Sequence, residues 1–232
     1  MPSLETILIT VFWSAATIAI YLLSKRTYRR WPAIWSSPLV LTPVLLAALA
    51  LSLHTTYSEY IGATRWLMAI LGPVTVAFAI PIYEQRAMIM RYWPVLAFGI
   101  VVGSGTAILT AWALASLLSI DGMLRLSLLP RSVSSPFAMA ISEKVGGVPD
   151  LTALFVVITG VAGAALGEKL LRILPLKSSL ARGALFGMGA HGAGVAKANQ
   201  IGAEEGSVAG LVMVLVGLVN VLAAPILAYI LR

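Results

Sequence analysis

Two short stretches carry residues that could do chemistry in an otherwise apolar chain. The first is Arg131-Ser-Val-Ser-Ser-Pro136, which sets three hydroxyls and a cation beside a proline. Hydroxyl residues cap helix starts, and proline suits the first turn, so the segment predicts a helix N-terminus. Such an end presents backbone N–H groups and the positive pole of the helix dipole to an anion. With Arg131 nearby, a small carboxylate is the ligand class that fits. The second stretch is Gly187-Met-Gly-Ala-His-Gly-Ala-Gly-Val-Ala-Lys197, with His191 at its centre. Imidazole exchanges a proton near neutral pH. Glycines at this density cost a helix about 1 kcal/mol each relative to alanine, so they permit unwound backbone or very close helix packing.

The elements that hold these stretches belong in a bilayer. Of 232 residues, 59% are hydrophobic and only 11% charged, where soluble domains carry roughly a quarter. Mean hydropathy is +0.95. Six charge-poor stretches can each supply a spanning helix: Ser3–Leu23, then segments within Trp31–Ser58, Trp66–Tyr83, Tyr92–Ile120, Leu151–Gly167 and Gly206–Leu231. A weaker seventh, Gly183–Ala196, holds five glycines (Gly183, Gly187, Gly189, Gly192 and Gly194) and is placed as the sixth crossing. The expected class is an all-α polytopic membrane protein of about seven transmembrane helices. Ser132–Ser142 adds a re-entrant hairpin, closed by Gly146, Gly147 and Pro149.

The net charge of +7 sits in short loops between apolar runs. It reads as membrane topology and attraction to anionic lipid, and not as a nucleic-acid surface. With the N-terminus outside, eleven Lys and Arg residues fall inside and five outside, which predicts N-out and C-in. Residues 1–5 lack a basic n-region, so the first span is expected to be retained. There are no cysteines, which excludes disulfides and thiol catalysis. One mid-span histidine without partner spacing gives no metal site, and no cofactor is implied. Catalytic signatures such as His-Glu-x-x-His and Gly-x-Ser-x-Gly are absent, so no catalytic residues are assigned and an enzyme is not expected.

The chain reads as a single membrane domain, 1–232. Residues 1–30 form the N-terminal helix and basic loop, 31–120 a first repeat, and 121–232 the re-entrant segment and second repeat. Trp35-Ser-Ser-Pro38 is echoed by Val133-Ser-Ser-Pro136, and Gly72-Pro73 in span three by Gly187 and Gly189 in span six. Sets of three crossings that begin on opposite sides make an inverted repeat, a plan of secondary transporters. Helix breaks are expected at Gly72, Pro73 and Gly187. The expected substrate contacts are Ser134, Ser135, Pro136, Gly189, His191, Gly192, Lys197 and Asn199. Proton coupling is assigned to His191, Glu204 or Glu143. Asn220, deep in the last span, needs a polar partner.

Residues 131–149 and 181–210, two long motifs in order, resemble the signature of the LrgB/CidB family. The resemblance covers nearly the whole chain, most specifically 124–222. It implies a bacterial inner-membrane protein encoded beside a small holin-like partner of the LrgA/CidA type. Family members are commonly described as regulators of murein hydrolase export and autolysis, while plastid relatives carry glycolate and glycerate and some bacterial members are linked to pyruvate uptake. A threonine pair is common in the family where Ser134-Ser135 stands, which keeps the hydroxyls. Arginine is common where Lys197 stands, and lysine keeps the charge but loses the bidentate fork. The expected function is therefore a secondary transporter of small monocarboxylates of the pyruvate, glycolate and lactate class, with proton coupling. The alternative is a holin- or antiholin-like regulator of murein hydrolase export and autolysis. The expected partners are the lipid bilayer, a small organic anion, a second copy of the chain and the holin-like protein.

Overall fold

The structure is a computed structural model. It describes residues 4–230, apart from residue 78 and the side chains of Ile34 and Val74. The predicted end points Ser3, Leu231 and Arg232 lie outside the described residues. Everything regular among the described residues is helical: α1 Leu4–Arg30, α2 Pro38–Ser52, α3 Tyr57–Ala69, α4 Leu71–Ala77, α5 Ala79–Glu84, α6 Arg86–Leu117, α7 Gly122–Leu128, α8 Ser135–Val145, α9 Pro149–Ile173, α10 Ser179–Ile201 and α11 Ala203–Ile230, with 3-10 turns at Ile34–Ser36 and Leu129–Ser132. Five stretches are long and apolar enough to cross a membrane: α1, Tyr57–Glu84 (α3 to α5), α6, α9 and α11. The shorter apolar helix α2 adds to them. Large apolar side chains such as Leu117, Leu222 and Tyr229 are exposed along these helices, as expected of surfaces solvated by lipid.

The chain forms two compact units, 1–74 and 75–232. In the first, α1 packs on α2 and α3. Trp66 Nε1 donates to Ser14 Oγ at 2.8 Å, and Thr17 Oγ1 meets the Tyr60 hydroxyl at 3.1 Å. Ser37 caps α2 with Pro38 in the first turn, and Thr56 and Glu59 form a reciprocal capping box on α3. Span three is divided at Ile70, between α3 and α4, and Gly72 and Pro73 are helical residues in the first turn of α4. The boundary between the units falls after Val74, inside the stretch expected to form the first repeat.

The second unit holds the two chemistry-bearing stretches, and each forms a hairpin. In the first hairpin, α7 and its 3-10 turn run in, the chain turns at Val133–Ser134, and α8 runs back. Its open end is closed by polar contacts. Val148 N donates to Ser127 Oγ (2.8 Å), and Thr152 Oγ1 bridges the Ser127 carbonyl (3.0 Å) and Ser142 Oγ (2.7 Å). Gly146, at φ +88°, supplies the left-handed C-cap that lets α8 stop there.

The second hairpin corrects the sequence reading. Gly183–Ala196 does not continue as one crossing. The backbone of α10 reverses at His191 (φ 41°, ψ −122°). Gly194 lies against the Phe186 carbonyl, although eight residues of continuous helix would separate the two by about 12 Å. Before His191, α10 is antiparallel to α9, with Gly167 against Phe186, Gly163 against Gly189 and Gly160 against Ala190. The same half is parallel to α11, with Gly183 against Val208 and Gly187 against Ala209. After His191 the chain returns to its starting level, where Asn199 meets Gly206.

Both ends of α10 therefore lie at one end of the unit. Ion pairs there tie Lys197 to Glu168 (2.8 Å) and Arg182 to Glu205 (3.5 Å). The predicted sixth crossing is a hairpin that returns, and α11 then carries the chain to the opposite end of the unit.

Candidate functional site

The two hairpins enter the second unit from opposite ends, and their tips meet. The first tip is Arg131–Ser134. The second is Gly189–Gly192. The 3-10 turn Leu129–Ser132 packs against α10, and Arg131 lies beside His191 with both its backbone and its charge. The tips stand at mid-height. Gly160, near the middle of α9, faces Ala190 and His191, and Gly217, near the middle of α11, faces Phe137 in the first turn of α8. Helix α6 closes the site. Asn220 Nδ2 donates to Ser104 Oγ (2.8 Å) on α6 and to the Val216 carbonyl (2.8 Å). Ser104, Ser132, Met188 and Asn220 line one small gap, and Ile108, Leu129 and Asn220 separate it from an apolar cavity of about 190 Å³ that they also line.

Two polar atoms at the tips have no hydrogen-bond partner among the described residues: Ser134 Oγ and His191 Nε2. Their residues are 7% and 3% exposed. A buried polar atom left unpaired costs about 1–3 kcal/mol, so two at one place mark a site built for something else to contact. Ser134 is the N-cap of α8, yet its side chain makes no capping bond, and Pro136 follows in the first turn. The return half of α10 also begins at this point. Two helix N-termini of ten or more residues thus converge on the tips, each with its dipole favouring negative charge.

His191 adopts positive φ, an uncommon conformation for a residue with a Cβ. Flanking Gly189 and Gly192 are exposed, and a Cβ at either would meet nothing within 4 Å. The glycine run thus has two roles. Gly183, Gly187 and Gly194 allow backbone-to-backbone packing, while Gly189 and Gly192 leave the tip open.

The residues singled out in the sequence separate into groups. Ser134, Ser135, Pro136, Gly189, His191 and Gly192 come together at the tips. Lys197, Asn199 and Glu204 lie at the far end of the second hairpin, where Lys197 is occupied by Glu168 and Asn199 Nδ2 donates to the Val195 carbonyl (2.8 Å). Glu143 is exposed near the far end of α8. The break expected at Gly187 sits at His191 instead, and Gly187 is a packed helical residue. Gly72 and Pro73 belong to α4, which straddles the boundary between the units. Sequence reasoning placed Ser132 in the first stretch without naming it a substrate contact, and it did not assign Ser104 to the site. Ser104 is one hydroxyl on a long apolar helix, and only its pairing with Asn220 reveals it.

Helices broken at buried polar tips, in a chain this apolar, define a polytopic helical membrane protein. The LrgB-like family model matches residues 17–230, and the chain belongs to that family. Among curated relatives, "Uncharacterized protein YwbG" of Bacillus subtilis (strain 168) is 37% identical over 211 residues, covering 91% of this chain and 94% of the relative. "Antiholin-like protein LrgB" of the same organism is 32% identical over 171 residues, 74% of each chain. "Uncharacterized protein YxaC", also from that organism, is 32% identical over 213 residues, with 92% and 93% covered. No solved structure matches.

Proposed function

We propose that this chain is a secondary carrier of small monocarboxylates, of the pyruvate, glycolate and lactate class, with proton coupling through His191. The observation that carries the reading is the pair of buried, unpartnered polar atoms, Ser134 Oγ and His191 Nε2, on tips that face each other from opposite ends. Half-depth hairpins with convergent N-termini suit a carrier, because the site then lies within reach of either side after a modest movement. Segments 122–173 and 179–230 are of equal length. Each is a hairpin followed by a long apolar helix, and they run in opposite directions, which supports an inverted repeat within the second unit in place of the one expected across 31–120 and 121–232.

The topology that goes with this reading puts both termini outside, in a bacterial cytoplasmic membrane. Lys197 then moves inside and Arg232 outside, and with Arg131 on the first tip the balance is eleven basic residues inside to four outside.

Reconstituted vesicles test the function. Labelled pyruvate, glycolate or lactate enters under an inward proton gradient, and His191→Ala abolishes entry. Entry of no small acid, with leakage of unrelated solutes, would end the carrier reading.

A second reading has its own support in the printed name of the antiholin-like relative. In it, the protein regulates murein hydrolase export and autolysis through assembly with a second copy or with a small holin-like partner. The exposed apolar faces would then be assembly surfaces. It predicts that autolysis phenotypes survive His191→Ala, whereas under the carrier reading they disappear together with uptake.

A further inference from the structure

We infer that Arg131 is the cation that holds the substrate's carboxylate, and that its solitude restricts the site to monoanions; this rests on the carrier reading above. Arg125, Arg172, Arg182 and Lys197 each pair with a carboxylate. Arg131 has no carboxylate partner among the described residues, although it is half-buried on the tip beside His191. Carboxylates of the second unit sit toward helix ends, and none lies on either tip. An unpaired cation at mid-depth is costly and is retained where a ligand supplies the counter-charge.

The surroundings fit one carboxylate. Ser134 Oγ lies three residues on, buried and unpartnered, at the start of α8. The return half of α10 directs a second N-terminus to the same place. A planar guanidinium can engage both carboxylate oxygens, leaving the helix N–H groups and Ser134 for the substrate's hydroxyl or keto oxygen. Asn220 and Ser104, the polar groups on the α6 and α11 side, are neutral. A second carboxylate would therefore enter uncompensated, and this predicts rejection of dicarboxylates.

The test measures thermal stabilisation of detergent-purified protein by lactate, lactamide and malonate, together with competition by each against labelled lactate uptake. Wild type is stabilised by lactate and not by lactamide or malonate. Arg131→Gln loses the lactate response and raises KM roughly tenfold to a hundredfold, as expected when a charge-assisted hydrogen bond is removed. Arg131→Lys keeps a preference for lactate over lactamide at a KM between those two, and it serves as the readout if Arg131→Gln does not fold. An Arg131→Gln protein that responds to lactate like wild type, or an Arg131→Lys protein without preference for lactate over lactamide, would overturn the assignment while leaving the carrier standing. Wild type that neither moves nor is stabilised by any monocarboxylate would overturn both.

Discussion

The two hairpins of the second unit do the same job with different chemistry. The first turns through a 3-10 segment with Pro130 before the tip and Pro136 after it, and locks its open end with Ser127, Ser142 and Thr152. The second turns on one residue, His191, held at positive φ, and locks its open end with ion pairs. One tip is shaped by local turn chemistry. The other is shaped by packing: Gly160, Gly163 and Gly167 on α9 and Gly187 and Gly194 on α10 let the backbones close around a strained residue. A tertiary environment thus sustains a conformation that the local sequence does not favour.

The largest effect separates strain from chemistry at the second tip. His191→Gly relieves the positive φ, so thermal unfolding is unchanged or shifts upward, while uptake falls at least a hundredfold because the imidazole is gone. Ser134→Ala at the first tip lowers uptake less, because it removes one contact from a tip whose backbone is otherwise intact. Equal losses at the two tips would break the contrast.

Next come the packing glycines. Gly194→Ala drives a methyl into the Phe186 carbonyl and costs about 1–3 kcal/mol in denaturant titrations, whereas Gly192→Ala, with open space around it, leaves stability unchanged. A continuous helix through residue 191 would make the two substitutions equally mild.

The first hairpin has its own test. Thr152→Val removes the hydroxyl that joins Ser127 to Ser142 and destabilises by about 1–2 kcal/mol, as buried hydrogen bonds do. Smallest is Lys197→Ala. Its partner Glu168 is half exposed, so the loss of stability stays within about 1 kcal/mol and shrinks further in high salt.

The same contrast explains what was legible beforehand. The all-helical class and the first hairpin could be read, because Ser-Ser-Pro marks a helix start and Gly146-Gly147 a stop wherever they occur. The second hairpin could not. Ser179–Ile201 contains no proline, and its 23 residues would suit a single crossing. Its glycines signalled close packing or unwinding without distinguishing them, and a reversal carried by one histidine has no sequence signature. That reversal also explains why Lys197 and Asn199, close to His191 in sequence, end at the ion-paired end of the unit. Ser104 was invisible for another reason: its role comes from α6 lying beside α11, a contact set by tertiary packing alone.

The reversal at His191 is tested most directly by which membrane face each end of α10 reaches. The chain contains no cysteine, so Ser178→Cys and Ala203→Cys can be introduced singly without removing native thiols. Labelling with a membrane-impermeant maleimide in vesicles of known orientation should modify both positions from the same face. Labelling of the two from opposite faces would mean that α10 crosses the bilayer, and the facing tips, with the site between them, would not exist.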